Sequence, residues 1–210
     1  MATSSQITIR VALVLLWFAA IVVGTRYLLI YENTAAQAAQ APESWPSKSK
    51  LVRPHDRFTL VMLAHPNCPC TRASLAELEI VMAQLQGKVK AFVLFSKPSA
   101  TEDEVRQSSL WKKAASVPNV SAVYDTEGLE SHVFQGEVSG QTMLYGPKGR
   151  LIFTGGITSA RGHQGDNEGA EATVRIVRGD VLESRRAPVF GCALHNPNKQ
   201  ALKEDPSWRR

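Results

Sequence analysis

Cysteine is scarce in this chain: three residues, Cys68, Cys70 and Cys192, among 210. So low and odd a count excludes a fold stapled by a framework of structural disulfides, and leaves at least one thiol for chemistry or for the core. Blocks of one charge are also lacking. The 24 basic residues are interleaved with 19 acids, and the densest basic spots are only Arg185-Arg186 and Trp208-Arg209-Arg210. With no nucleic-acid motif beside them, the net charge of +5 and pI near 9.2 imply a solvated surface, suited to anionic lipid headgroups, and no nucleic-acid partner. The glycine-rich segment 155–167 lacks the strand and helix context of a phosphate-binding fingerprint, which removes that reading. Charged residues are 20% and hydrophobic residues 44%, so wholesale disorder is excluded and one globular core with additions is expected.

What is present begins with a long apolar run. Val11 to Ile30 (VALVLLWFAAIVVGTRYLLI) holds a single charge, Arg26, and matches the length a helix needs to cross the hydrocarbon core. Arg26 near its end can snorkel, and Tyr27 and Tyr31 suit the interfacial belt. A cleaved signal peptide is the competing reading, because Val11 to Val23 has h-region length and Ala35 to Ala41 offers small-residue cleavage sites. The apolar run resumes after Arg26, which favours a single-pass anchor. Arg10 before the span and Glu32 and Glu43 after it place the C-terminal bulk outside the cytoplasm, on the periplasmic side. The expected organisation is a short N-terminal segment 1–10, an anchor 11–31, an Ala-, Gln-, Ser- and Pro-rich linker 32–50, a folded domain 51–195 and a polar tail 196–210.

Within the domain, Phe58 to Ala64 reads as a buried strand ended by His65-Pro66-Asn67, with the cysteines immediately after. Residues 71–86 place Leu75, Leu78, Val81, Met82 and Leu85 at helical spacing, and Gly87 is a stop. Lys90 to Phe95 is a second strand, Glu102 to Ala115 a short helix and Val120 to Tyr124 a third strand. Thr142 to Tyr145 and Leu151 to Thr154 flank Gly146-Pro147-Lys148-Gly149 as a hairpin, and Ala170 to Leu182 reads as a final amphipathic helix with Ala172, Ile176 and Val177 facing the core. Strand–helix–strand order followed by a hairpin implies an α/β fold with a mixed central sheet flanked by helices.

A strand that runs into a cysteine turn opening a helix, with a late hairpin reading Thr142…Gly149-Arg150-Leu151…Gly155, resembles the thioredoxin fold over Phe58 to Gly156. HPNCPCTRASLAEL (65–78), GGITSARGHQGDNEG (155–169) and PVFGCAL (188–194) also resemble a group of predicted bacterial membrane-anchored thioredoxin-like proteins labelled RedB. That likeness implies the fold and no particular reaction. The chain departs from the thioredoxin pattern twice: Pro69 alone separates Cys68 from Cys70 where the redox motif has two intervening residues, and Gln141 stands before Thr142 where a cis-proline is expected.

A cysteine at a helix N-terminus lies where unpaired N–H groups and the positive dipole end favour the thiolate. Cys68 and Cys70 are both so placed, with Cys68, nearer the loop, as the attacking thiol and Cys70 as the resolving one. This points to thiol–disulfide exchange with a protein or small-molecule thiol, Gln141 and Thr142 bordering the groove. A disulfide across one residue closes a strained, labile ring. The same residues, with rigid Pro69 between them, also suit a soft metal ion such as copper, as a metallochaperone would use, with Cys192, His65 or His163 adding ligands. Cys192 has open alternatives: a bridge to Cys68 or Cys70, a metal site with His195, or a core thiol. His65 precedes the turn by three residues, and His163 lies on a loop that can fold toward it with Arg161 and Asp166. A purely structural role for the pair is the third reading.

Overall fold

The computed structural model describes residues 4–97, 100–182 and 184–194. His195 and the tail 196–210 therefore lie outside the described residues. The chain divides into two compact units, residues 1–34 and residues 35–210.

The first unit is one helix, α1, Ser4–Asn33. Its 30 residues rise about 45 Å at 1.5 Å per residue, enough to cross a hydrocarbon core of about 30 Å. Leu13 to Phe18, Ile21 to Val23 and Leu28 to Ile30 carry large apolar side chains that stay exposed all round it. A helix apolar on every side and unburied is one long and apolar enough to cross a membrane.

The second unit is a mixed five-stranded sheet in the order β3-β2-β1-β4-β5. β1 (Phe58–Ala64) lies at its centre, parallel to β2 (Val89–Phe95) and antiparallel to β4 (Thr142–Tyr145). β3 (Val120–Tyr124) extends the parallel side and β5 (Leu151–Gly155) pairs with β4 as a hairpin. α2 (Pro69–Leu85) begins one turn after β1 and ends where Gln86 and Gly87 take left-handed backbone, φ 42° and 82°. The helix expected over 102–115 is two helices, α3 (Glu102–Gln107) and α4 (Ser109–Ser116). Ser108, extended at ψ 146°, caps the second by accepting from Trp111 N–H, so the chain restarts there instead of continuing. A short α5 (Leu129–Val133) follows β3. α6 (Glu168–Arg178) is capped by Asn167 and stopped by Gly179 at φ 108°, four residues short of the expected Leu182 boundary. Gly169, Thr173, Val174, Ile176 and Val177 are its buried residues, with Ala172 packing at the margin.

One face of the sheet, with Leu60, Met62 and Ala64 of β1, packs against α2, α4 and α6. The other presents Val61, Leu63, Phe92, Leu94, Met143 and Tyr145. Strands apolar on both faces must be covered twice. Here the expected linker is corrected. Residues from 35 onward belong to the sheet's own unit: Ala36 bridges Val189, Ser44 bridges Arg150, and Ala41 is buried in the second cluster. Trp45 meets Phe134 and Tyr145 edge-on, ring centroids 5.0 and 5.2 Å away. The tether composition hid this because one tryptophan and backbone hydrogen bonds, not periodic apolar residues, do the covering. Leu194 from the C-terminal segment joins the same face.

Candidate functional site

β1 is the central strand and its C-terminal end opens directly into the cysteine turn. Cys68 N–H donates to His65 O at 3.2 Å, and His65 N–H donates to Thr71 Oγ1 at 3.0 Å, which ties the turn to the first helical turn. Cys68 is the N-cap of α2, Pro69 the first helical residue and Cys70 the second. Proline suits that first position because its missing N–H would have no partner there anyway.

Cys68, Cys70 and Cys192 come together: their sulfur atoms all lie within 4.8 Å of one another. All three are free thiols, Cys68 and Cys70 buried at 6% and 3% exposure and Cys192 half-buried. Cys192 arrives on a strap formed by residues 191–194 laid against residues 137–139. Ser139 N–H donates to Cys192 O at 2.9 Å, Leu194 N–H to Glu137 O at 2.8 Å, and Val138 bridges Ala193. Gly191 has no room for a side chain, since a Cβ there would fall 1.8 Å from Ser139 O. The Arg161 guanidinium donates to Gly191 O beside the cluster.

Ser139 is the residue that sequence reasoning missed. Its hydroxyl lies 3.5 Å from Cys68 Sγ and accepts from the backbone N–H of Cys192 at 3.0 Å, so one buried side chain joins the Cys68 thiol to the Cys192 backbone. Its place three residues before β4, the hairpin strand beside β1, carries no signal in the sequence. Gln141 and Thr142, expected to border a groove, are both fully buried. The Gln141 amide donates to Ala39 O at 3.1 Å and its Oε1 accepts from Glu137 N–H, while Thr142 Oγ1 donates to Gly140 O. They brace the chain beneath the site. No peptide bond among the described residues is cis, consistent with glutamine at that position.

The histidines stand apart from the thiols. His65 is half-buried and its Nδ1 accepts from Asn67 N–H at 3.2 Å. His163 is exposed, with Nδ1 2.9 Å from Arg161 O. Neither belongs to the one cluster of candidate ligands found among the described residues, so the expected thiolate–histidine set is not assembled. The loop around His163 is ordered onto α2 instead: Gly165 N–H donates to Glu77 Oε1 at 2.8 Å, and Asn167 Nδ2 lies 3.4 Å from Glu77 Oε2.

The electrostatics separate the three thiols. Cys68 is lowered to about 4, chiefly because Cys70 donates a hydrogen bond to its sulfur; Ser139 adds to this, as do the N–H groups of Thr71 and Cys70, and burial opposes it. Cys70 is pushed up because it holds the shared proton against Cys68 and is buried. Cys192 is raised by burial first and by the Cys68 charge second, with Arg161 opposing. His65 is lowered by burial, partly offset by the Cys68 charge. The arrangement is one buried cysteine whose surroundings favour its thiolate form, with two further thiols within 4.8 Å. Such a group can attack a sulfur or bind a soft cation.

No family model and no curated protein matches the sequence. The structure overlays on a hypothetical protein of Sinorhizobium meliloti 1021 with a TM-score of 0.58 and 13% identity, covering 77% of this chain and 97% of that one. An uncharacterized conserved protein of Geobacillus kaustophilus gives 0.54 and 16%, covering 79% and 95%. A looser overlay, 0.43 and 14%, covering 66% and 98%, is with the exposed lipoprotein thioredoxin Etrx1 of Streptococcus pneumoniae. With its central strand running into a cysteine turn and helix, and an antiparallel hairpin on the other side, this chain has a thioredoxin-like fold.

Proposed function

We propose that this protein is a membrane-anchored, extracytoplasmic thiol–disulfide exchange protein in which Cys68 is the attacking sulfur. The observation that carries this reading is the Cys68 sulfur at the start of α2 with two further thiols within 4.8 Å, and its surroundings favour the thiolate, lowering it to about 4. In the reaction, the Cys68 thiolate attacks a client disulfide R–S–S–R′, forming Cys68–S–S–R and releasing R′–S⁻. A second cysteine of the cluster then attacks Cys68 Sγ and releases R–S⁻, so the client gains two electrons and the chain closes a disulfide; the reverse sequence oxidises a client dithiol. A stabilised thiolate favours the reduced form, so the couple is expected to act mainly as an oxidant.

The anchor is α1, in which Arg10 precedes the apolar run 11–30 and Glu32 follows it, an order that orients the domain outward. A non-reducing compartment is where exchange chemistry of this kind persists. The test is alkylation of the full chain in detergent after equilibration with reduced and oxidised glutathione. Reversible loss of two thiols, abolished by Cys68→Ser, supports exchange, and thiols that never pair refute it.

One observation favours a second reading. Three mostly buried sulfurs within 4.8 Å of one another fit a soft ion such as Cu(I), which thiolates select, whereas His163 stands outside that group. Under this reading Cys68, Cys70 and Cys192 would hold the ion and His163→Ala would leave binding unchanged. Protection of all three thiols from alkylation by Cu(I), with no pairing under any glutathione ratio, would replace the first reading with this one.

A further inference from the structure

Cys70 is the natural candidate for closing the disulfide, being next but one to Cys68. Its surroundings argue otherwise. It is the second residue of α2, 3% exposed, with Pro69 fixing the backbone between it and Cys68. A bridge across that single residue closes a small ring inside the first turn of a helix, where departures from preferred disulfide geometry store strain.

Cys192 differs in each respect. It lies on a separate segment, so a bridge from it need not open α2. Its backbone is held on both sides, by Ser139 N–H on its carbonyl and Ser139 Oγ on its own N–H, at 2.9 and 3.0 Å. Gly191 permits the close approach to Ser139 O, and Arg161 grips the Gly191 carbonyl. Leu194 at 4% exposure anchors the strap in the second core cluster. Cys192 is the least buried of the three cysteines, and the Arg161 cation stands on its side of the cluster. A chain that spends a glycine, a buried serine and an arginine on presenting one sulfur to Cys68 has built a partner for it.

We infer that Cys192 is the resolving cysteine, and that the working disulfide joins Cys68 to Cys192. This rests on the exchange reading above. Once Cys68 holds a client as Cys68–S–S–R, the Cys192 thiol gives its proton to solvent. Its sulfur attacks Cys68 Sγ, the bond between Cys68 Sγ and the client sulfur breaks, and R–S⁻ leaves and takes up a proton. Client disulfide plus two protein thiols thus become two client thiols plus one protein disulfide; in the oxidising direction favoured above the same steps run backwards, and an external disulfide then re-forms the Cys68–Cys192 bond. The oxidised form fastens the strap to the start of α2.

The experiment exposes the full chain in detergent to oxidised glutathione, quenches with acid and maps tryptic peptides by mass spectrometry. The expected result is a linked pair, Phe58–Arg72 joined to the peptide bearing Cys192, in the wild type and in Cys70→Ser. In Cys192→Ser and Cys192→Ala that pair is lost and Cys68 accumulates as its glutathione adduct. A Cys68–Cys70 bridge formed equally well in the Cys192 variants, with the adduct accumulating in Cys70→Ser, overturns the assignment and leaves exchange intact. No glutathione on Cys68 in any variant overturns the exchange reading, and this inference with it.

Discussion

At the scale of single residues, the chemistry turns on how Cys68 keeps its negative charge. Its thiolate is the reactive form, so a pKa lowered to about 4 should keep alkylation fast far into the acid range. The rate of iodoacetamide addition to Cys68 is expected to stay level between about pH 6 and 8 and to fall only on approach to 4, whereas an unperturbed thiol near 8.5 would gain roughly tenfold per pH unit across that window. Cys70→Ala removes the largest lowering influence and should move the fall upward in pH. Cys70→Ser, which keeps a donor, should move it less. Ser139→Ala deletes the 3.5 Å hydroxyl contact to Cys68 and the acceptor for Cys192 N–H. It should cost about 1 kcal/mol of stability in urea titration and raise the Cys68 pKa in the same alkylation profile. An unchanged profile would mean that the hydroxyl is only structural. Helix-start placement made Cys68 and Cys70 legible in the sequence. Ser139 was not, because a serine before a strand carries no signal until the fold sets it beside a sulfur.

At the scale of elements, the strap 191–194 and the segment 36–45 show what periodicity leaves out. Strands β1 to β5 and helix α2 followed from apolar spacing and turn residues, and they lie within a few residues of where those signals put them. The strap has no period, being held by hydrogen bonds to residues 137–139 across a long stretch of chain, and the sequence left Cys192 with several partners for that reason. Gly191→Ala tests the strap directly. A Cβ 1.8 Å from Ser139 O cannot be accommodated without displacement, so overpacking of about 1–3 kcal/mol should lower Tm by a few degrees in calorimetry and slow the attack of Cys192 on a Cys68 mixed disulfide. A Tm equal to the wild type would show that the strap is not held as described. Trp45→Ala asks the same of the N-terminal cover. With its ring against Phe134 and Tyr145, its loss should cost about 3 kcal/mol, the low end for an aromatic truncation, while a tether residue would cost nothing.

At the scale of the whole molecule, an apolar helix of 30 residues and a sheet domain starting at residue 35 divide the work between placement and chemistry. Fold class was readable because the order of strands and helices constrains topology strongly. The reaction was less so, since it depends on three sulfurs meeting across the chain. The account's central claim is that Cys68 belongs to a reversible dithiol couple with a stabilised reduced form. The most direct measurement is its reduction potential in the detergent-solubilised full chain, by quantifying alkylated against disulfide-linked Cys68 across a glutathione series. A two-electron couple less negative than about −200 mV, toward the oxidising end of the thioredoxin-fold range, is the predicted result. A Cys68 that stays alkylatable at every ratio of oxidised to reduced glutathione would contradict the account.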